Sequence, residues 1–138
     1  MSFQFPPDIA SVAEQALRDD SELWKEYQTG GEMTARLLLN LRAAASDEEG
    51  FSEKDYWQAF LSELRDFLCT DSKKYKAERE QLEAAQATTS KFIVPTVAGA
   101  IGATLGIEQA ILIPFVALAI FGAVKMGVNA WCSLDPER

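Results

Sequence analysis

Apolar residues recur with a helical period through the first two thirds of the chain and then occupy almost every position of the last third. Ile9, Val12, Ala13, Ala16 and Leu17 fall at i, i+3, i+4, i+7 and i+8, which is one stripe of an amphipathic helix. Pro6 and Pro7 are suited to open it at Asp8, and Asp19-Asp20, unfavourable at a negative helix end, mark its stop. Ser21 can cap a short second helix with Leu23, Trp24 and Tyr27 on its apolar side, broken at Gly30-Gly31. A third helix is expected over 32–45, burying Met33, Leu37, Leu38 and Leu41 and turning Arg36 and Arg42 to water, before an acidic loop at 46–50. Ser52 and Asp55 form a variant capping box ahead of a fourth helix. Tyr56, Trp57, Phe60, Leu61, Leu64, Phe67 and Leu68 follow it at helical spacing as core. Residues 71–86 have helical propensity but are polar nearly all round. Only Tyr75, Leu82 and Ala84-Ala85 offer an apolar edge, which predicts an exposed extension or a strut facing a partner.

The pattern changes at Thr88-Thr89-Ser90. Between Phe92 and Leu134 the only charged side chains are Glu108 and Lys125. Gly106 suits the left-handed position just past a helix end, with Ile107 as the apolar residue that follows. Glu108 then falls at the start of the next helix, where the dipole favours an acid. The expected result is a helical hairpin: one leg at about 95–105 with Pro95 in its first turn, the other at about 107–131. Pro114 would kink the second leg unless it falls in the first turns. Lys91 and Lys125 would share one end, with Phe92 and Trp131 near their level, and Glu108 would mark the other. Legs of roughly 15–16 residues reach about 23–24 Å, short of a hydrocarbon core of about 30 Å. Gly102-x-x-x-Gly106 fits the spacing by which helices approach closely.

Charge separates the same two regions. The tract 91–138 carries Lys91, Glu108, Lys125, Asp135, Glu137 and Arg138, which cancel, so the net charge of −8 lies entirely in 1–90. An acidic chain is not built to bind nucleic acid, which requires clustered Lys and Arg. The one basic cluster, Lys73, Lys74, Lys76 and Arg79, is interleaved with Asp71, Glu78, Glu80 and Glu83 and reads as a solvated face. Histidine is absent, which removes the usual general base and the commonest transition-metal ligand. No phosphate-binding or dinucleotide motif is present, and the carboxylate runs Asp19-Asp20 and Asp47-Glu48-Glu49 read as solvated loops. The N-terminus has neither the basic nor the apolar region of a signal peptide, so a cytoplasmic protein with reduced thiols is expected. Cys69 and Cys132 have no metal-site spacing. Cys132 is expected to be a small buried hydrophobe, with lipidation or a redox link as the sharper alternative.

These patterns predict a single all-α domain over 1–138, a bundle of five to seven helices around the C-terminal hydrophobic hairpin. No catalytic, cofactor or metal site is expected. The function expected is a non-enzymatic helical interaction subunit that docks on a protein partner or self-associates as a homo-oligomer. The alternative is a membrane-associated effector or anchor, whose amphipathic helices shield the hairpin in water and release it into lipid. That layout resembles pore-forming bacterial toxin domains in architecture, with no shared motif. Candidate interaction or insertion residues are Tyr75, Leu82, Gly102, Gly106, Glu108, Lys125 and Trp131.

Overall fold

The computed structural model describes residues 7–46, 56–70, 73–84 and 90–133. Among them seven α-helices and one 3₁₀ turn are present and no strand: α1 Ile9–Arg18, α2 Ser21–Ser46, α3 Tyr56–Cys69, a 3₁₀ turn Lys73–Tyr75, α4 Lys76–Ala84, α5 Ser90–Leu105, α6 Gln109–Met126 and α7 Val128–Ser133. The protein is an all-α bundle. The expected acidic loop and the Ser52–Asp55 capping box lie outside the described residues.

The bundle is arranged around α6, which packs against α1, α2, α5 and α7. Leu112, Phe115, Val116, Ala117, Ile120 and Ala123 are all fully enclosed. α1 presents Ile9, Ala13 and Leu17 to the core, as its stripe predicts. α3 buries every one of its seven predicted core residues. Each Val, Leu, Ile or Phe among these contributes about 1.5–3 kcal/mol on burial, so a charge-free helix at the centre is the arrangement that removes most apolar surface from water.

Polar side chains set the positions of the covering helices. Asp20, not Ser21, caps α2: its Oδ1 accepts from the Leu23 N–H at 3.0 Å. The same carboxylate receives Arg42 Nη1 at 2.6 Å and Nη2 at 3.2 Å, and Arg42 also reaches Glu22 at 2.8 Å. Arg42 is therefore half-buried and tied to the start of its own helix rather than turned to water, with its guanidinium over the Phe115 ring. Asn40 Oδ1 accepts from the Trp57 N–H at 2.9 Å, so α2 caps α3 from a distance. At the other end of α3, buried Arg79 donates to the carbonyls of Asp66 and Phe67. One member of the basic cluster read as solvated thus closes a helix C-terminus, where a cation is favoured.

The α5–α6 connection is the turn the sequence predicts. Gly106 is left-handed at φ 74°, and the N–H groups of Gly106 and Ile107 both donate to the Gly102 carbonyl, at 2.8 and 3.0 Å. Ile107 is buried behind it. Two boundaries differ from expectation. α5 begins at Ser90, so Pro95 stands inside the helix rather than in its first turn. The expected helix over 107–131 is interrupted at Gly127, φ 100°, giving α6 and the short α7. Pro114 also stands inside α6 and is buried there.

A methyl group at Gly102 would press into the Ile107 carbonyl, with Leu112 beside it. Gly102→Ala is expected to cost about 1–3 kcal/mol. Gly122 in α6 has open space around its Cβ position, and Gly122→Ala is expected to gain up to about 1 kcal/mol. Urea unfolding of the two variants checks the opposite signs.

The Arg42 guanidinium bonded to Asp20 holds that carboxyl below the usual carboxylate range, against the opposing effect of partial burial. A depressed folded value means the stabilisation is complete above the ordinary value of about 3.9 and disappears as pH falls through the lowered one. Unfolding free energy should therefore drop on acidification below about pH 4, and Asp20→Asn should flatten that slope in pH-resolved denaturation.

Candidate docking surface

The second half of α2 carries apolar residues on two opposite sides. Gly31, at φ 66° and ψ −148°, kinks the helix where Gly30-Gly31 predicts a break. Thr34 stitches the kink, its hydroxyl donating to the Glu26 carbonyl at 2.6 Å with that of Gly31 at 3.0 Å. Beyond it, Ala35, Leu38, Leu39 and Ala43 are buried. Met33, Leu37 and Leu41 are 73, 63 and 67% exposed. Each of Ala35, Leu39 and Ala43 stands two residues after one of these, about 200° around the helix.

The expected buried face is thus wrong for Met33, Leu37 and Leu41 and right for Leu38. Two anchors fix the rotation: Arg42, on the inner side, is held by Asp20, and Asn40 is held by the N-terminus of α3. Ala35, Leu38, Leu39 and Ala43 line that inner side, and Met33, Leu37 and Leu41 are left outside. Met33, Leu37 and Leu41 recur every four residues and so form one continuous exposed apolar stripe along the helix.

Beside this helix lies an apolar cleft of about 430 Å³ between α2, α3, α6 and α7. Tyr27, Trp57, Leu61, Leu118, Met126 and Trp131 line it, with Glu32 and Arg65 as its charged residues. Glu32 is the chain neighbour of Met33. The volume falls in the ordinary range of sites that seat a small molecule or a partner's side chains. The Arg65 guanidinium lies 4.5 Å from the Trp131 ring centroid, and its Nη1 donates to the Trp131 carbonyl at 2.9 Å.

The residues singled out from sequence are dispersed. Tyr75 and Leu82, expected on a partner-facing edge, are 2 and 5% exposed, because the 3₁₀ turn and α4 fold back onto α3 and α5. The Tyr75 phenol donates to Glu63 Oε1 at 2.7 Å and meets the Thr104 hydroxyl at 2.9 Å; Lys74 pairs with the same Glu63. Burial, the largest influence, pushes the phenol above its ordinary value. Gly102 and Gly106 build the α5–α6 turn. Glu108 is exposed at the N-cap of α6 and makes no side-chain capping bond. Lys125 is exposed in the last turn of α6, its ammonium 4.8 Å from the Phe121 ring centroid. Phe92 is half exposed, and the side chain of Lys91 lies outside the described residues. Only Trp131 borders the cleft. Met33, Leu37 and Leu41 were readable as apolar but were assigned to the core, and the cleft has no sequence signature.

Cys69 and Cys132 are joined by a disulfide, with Cα atoms 5.6 Å apart. The expectation of reduced thiols is corrected here: the redox link holds in place of the free buried thiol. Among the described residues, no group of three or more Cys, Asp or Glu side chains is placed to hold a metal ion. Comparison with family models, with curated proteins and with solved structures gives no match.

Met33→Ser, Leu37→Ser and Leu41→Ser are expected to change stability by less than about 0.5 kcal/mol each, since these side chains lie in water. Leu39→Ala, on the opposite side, should cost about 2–5 kcal/mol. Thermal melts of the four variants measure which side of α2 faces the core.

Proposed function

We propose that this protein is a non-enzymatic helical interaction subunit, expected in the cytoplasm, that docks on a protein partner or self-associates through the exposed face of α2. The observation that carries the reading is the Met33, Leu37 and Leu41 stripe, opposite a face already committed to the core. Covering these side chains would supply up to about 1.5–3 kcal/mol each before the costs of association. The cleft alongside adds a concave surface into which apolar side chains of the second body would fit.

A second reading is favoured by α6 itself. At 18 residues and mean hydropathy 1.9 it is long and apolar enough, by length and composition, to cross a membrane. In that reading α1 and α2 shield α6 in water and give way at a lipid surface. Half of α6 is already buried against protein, which also suits the core helix of a bundle, so docking is the preferred reading.

Light scattering over a concentration series, with and without the Leu37→Asp substitution, tests the self-association arm. A photocrosslinker placed at Leu37 tests the partner arm in cells. The docking reading expects a species heavier than the monomer, or a specific crosslinked adduct, that Leu37→Asp abolishes while the helical circular dichroism is retained. A monomer at all concentrations with no adduct at Leu37 contradicts it. Release of dye from vesicles on adding the chain would favour the second reading.

A further inference from the structure

We propose that the Cys69–Cys132 disulfide is a redox-operated clasp that holds α7 against α3 and, through Trp131, keeps one wall of the apolar cleft in place. α7 has six residues, far fewer than a helix needs to persist without support. It leaves α6 through Gly127, at φ 100° and ψ 124°, a backbone state that forms a pivot between the two helices. It packs on α6 and α3, and its polar and covalent ties to α3 come from one face of that helix. Cys69 supplies the covalent link, and Arg65, one turn earlier, bonds the Trp131 carbonyl and covers the indole. The Trp131 side chain is buried in this arrangement and forms the cleft wall with Trp57, Leu61 and Met126.

One further feature suits the link to act as a switch rather than a staple alone. Cys69 and Cys132 are both only partly buried, so an attacking thiolate can reach them. The step is thiol–disulfide exchange with a dithiol reductant. One reductant thiolate attacks either sulfur, forms a mixed disulfide and releases the other cysteine as thiolate. The second reductant thiol then resolves the mixed disulfide. The reductant gives up two electrons and two protons and becomes a disulfide, while Cys69 and Cys132 become thiols. Without the bond, α7 loses its covalent tie to α3, while the Arg65 contacts, the packing of Trp131 and the contacts with α6 remain. It no longer benefits from a link across 63 residues of chain that removes freedom from the detached state.

What the opened cleft would receive rests on the docking reading, but the opening itself is measured on the full chain alone. Hydrogen exchange is followed on the oxidised protein, on the protein reduced with dithiothreitol, and on Cys132→Ser. The expected result is exchange at least tenfold faster over 128–133 in the reduced protein and in the variant, with 109–126 still protected. Treatment of the reduced wild type with diamide should restore slow exchange, and the same treatment of Cys132→Ser should not. Three outcomes overturn the proposal: equal exchange of α7 in both redox states, loss of protection throughout the bundle on reduction, or failure of the two thiols to pair under diamide as read by alkylation and mass. None of the three bears on the α2 stripe, whose association is measured separately.

Discussion

A helix without charge from Gln109 to Val124 has to be covered, and the rest of this structure follows from how that is done. α1, α2, α5 and α7 enclose α6, and α3 packs on α2, α5 and α7 as an outer support. Burial alone is non-directional and would accept many rotations of the covering helices. Direction comes from a few polar side chains that satisfy helix ends. Asp20 and Arg42 lock the start of α2 to its middle, Asn40 and Arg79 close the two ends of α3, and the Glu63–Tyr75–Thr104 chain ties the 3₁₀ turn to α3 and α5. Helix termini leave backbone groups without partners, so these bonds offset a cost that packing cannot.

The same locking explains the surface. Once Arg42 and Asn40 have fixed the rotation of α2, Met33, Leu37 and Leu41 have no place in the core. Their exposure is the consequence of a choice between two apolar sides of one helix, and it leaves an apolar stripe on the surface. Trp131 of the short α7 lines the apolar cleft, and α7 is tied to α3 by the Cys69–Cys132 bond and by Arg65.

Much of the fold was legible in the sequence because periodicity reports burial directly. The α1 stripe, all seven core residues of α3, the kink at Gly31 and the left-handed Gly106 followed from local pattern and backbone chemistry. The face of α2 was not legible. Two apolar stripes compete there, and the decision rests on Asp20 and Trp57, which are distant in sequence from the residues they orient. Tyr75 and Leu82 were misplaced for a related reason: a mostly polar helix gives a weak stripe, yet two apolar side chains and a buried arginine suffice to dock it. The Cys69–Cys132 pairing joins residues far apart in the chain and has no spacing motif to announce it. Glycine was informative at Gly106, where it follows an apolar helix and precedes an acid. At Gly127 the surrounding sequence gave no such context.

In this structure α6 is covered by the protein's own helices. Native-state hydrogen exchange of the detergent-free chain measures this most directly, read over 109–126 with and without phosphatidylcholine vesicles. Amides around Phe115, Val116 and Ile120 are expected to be among the slowest to exchange in water, and vesicles are expected to leave them unchanged. Rapid exchange of α6 in water, with protection gained only when vesicles are added, would contradict it.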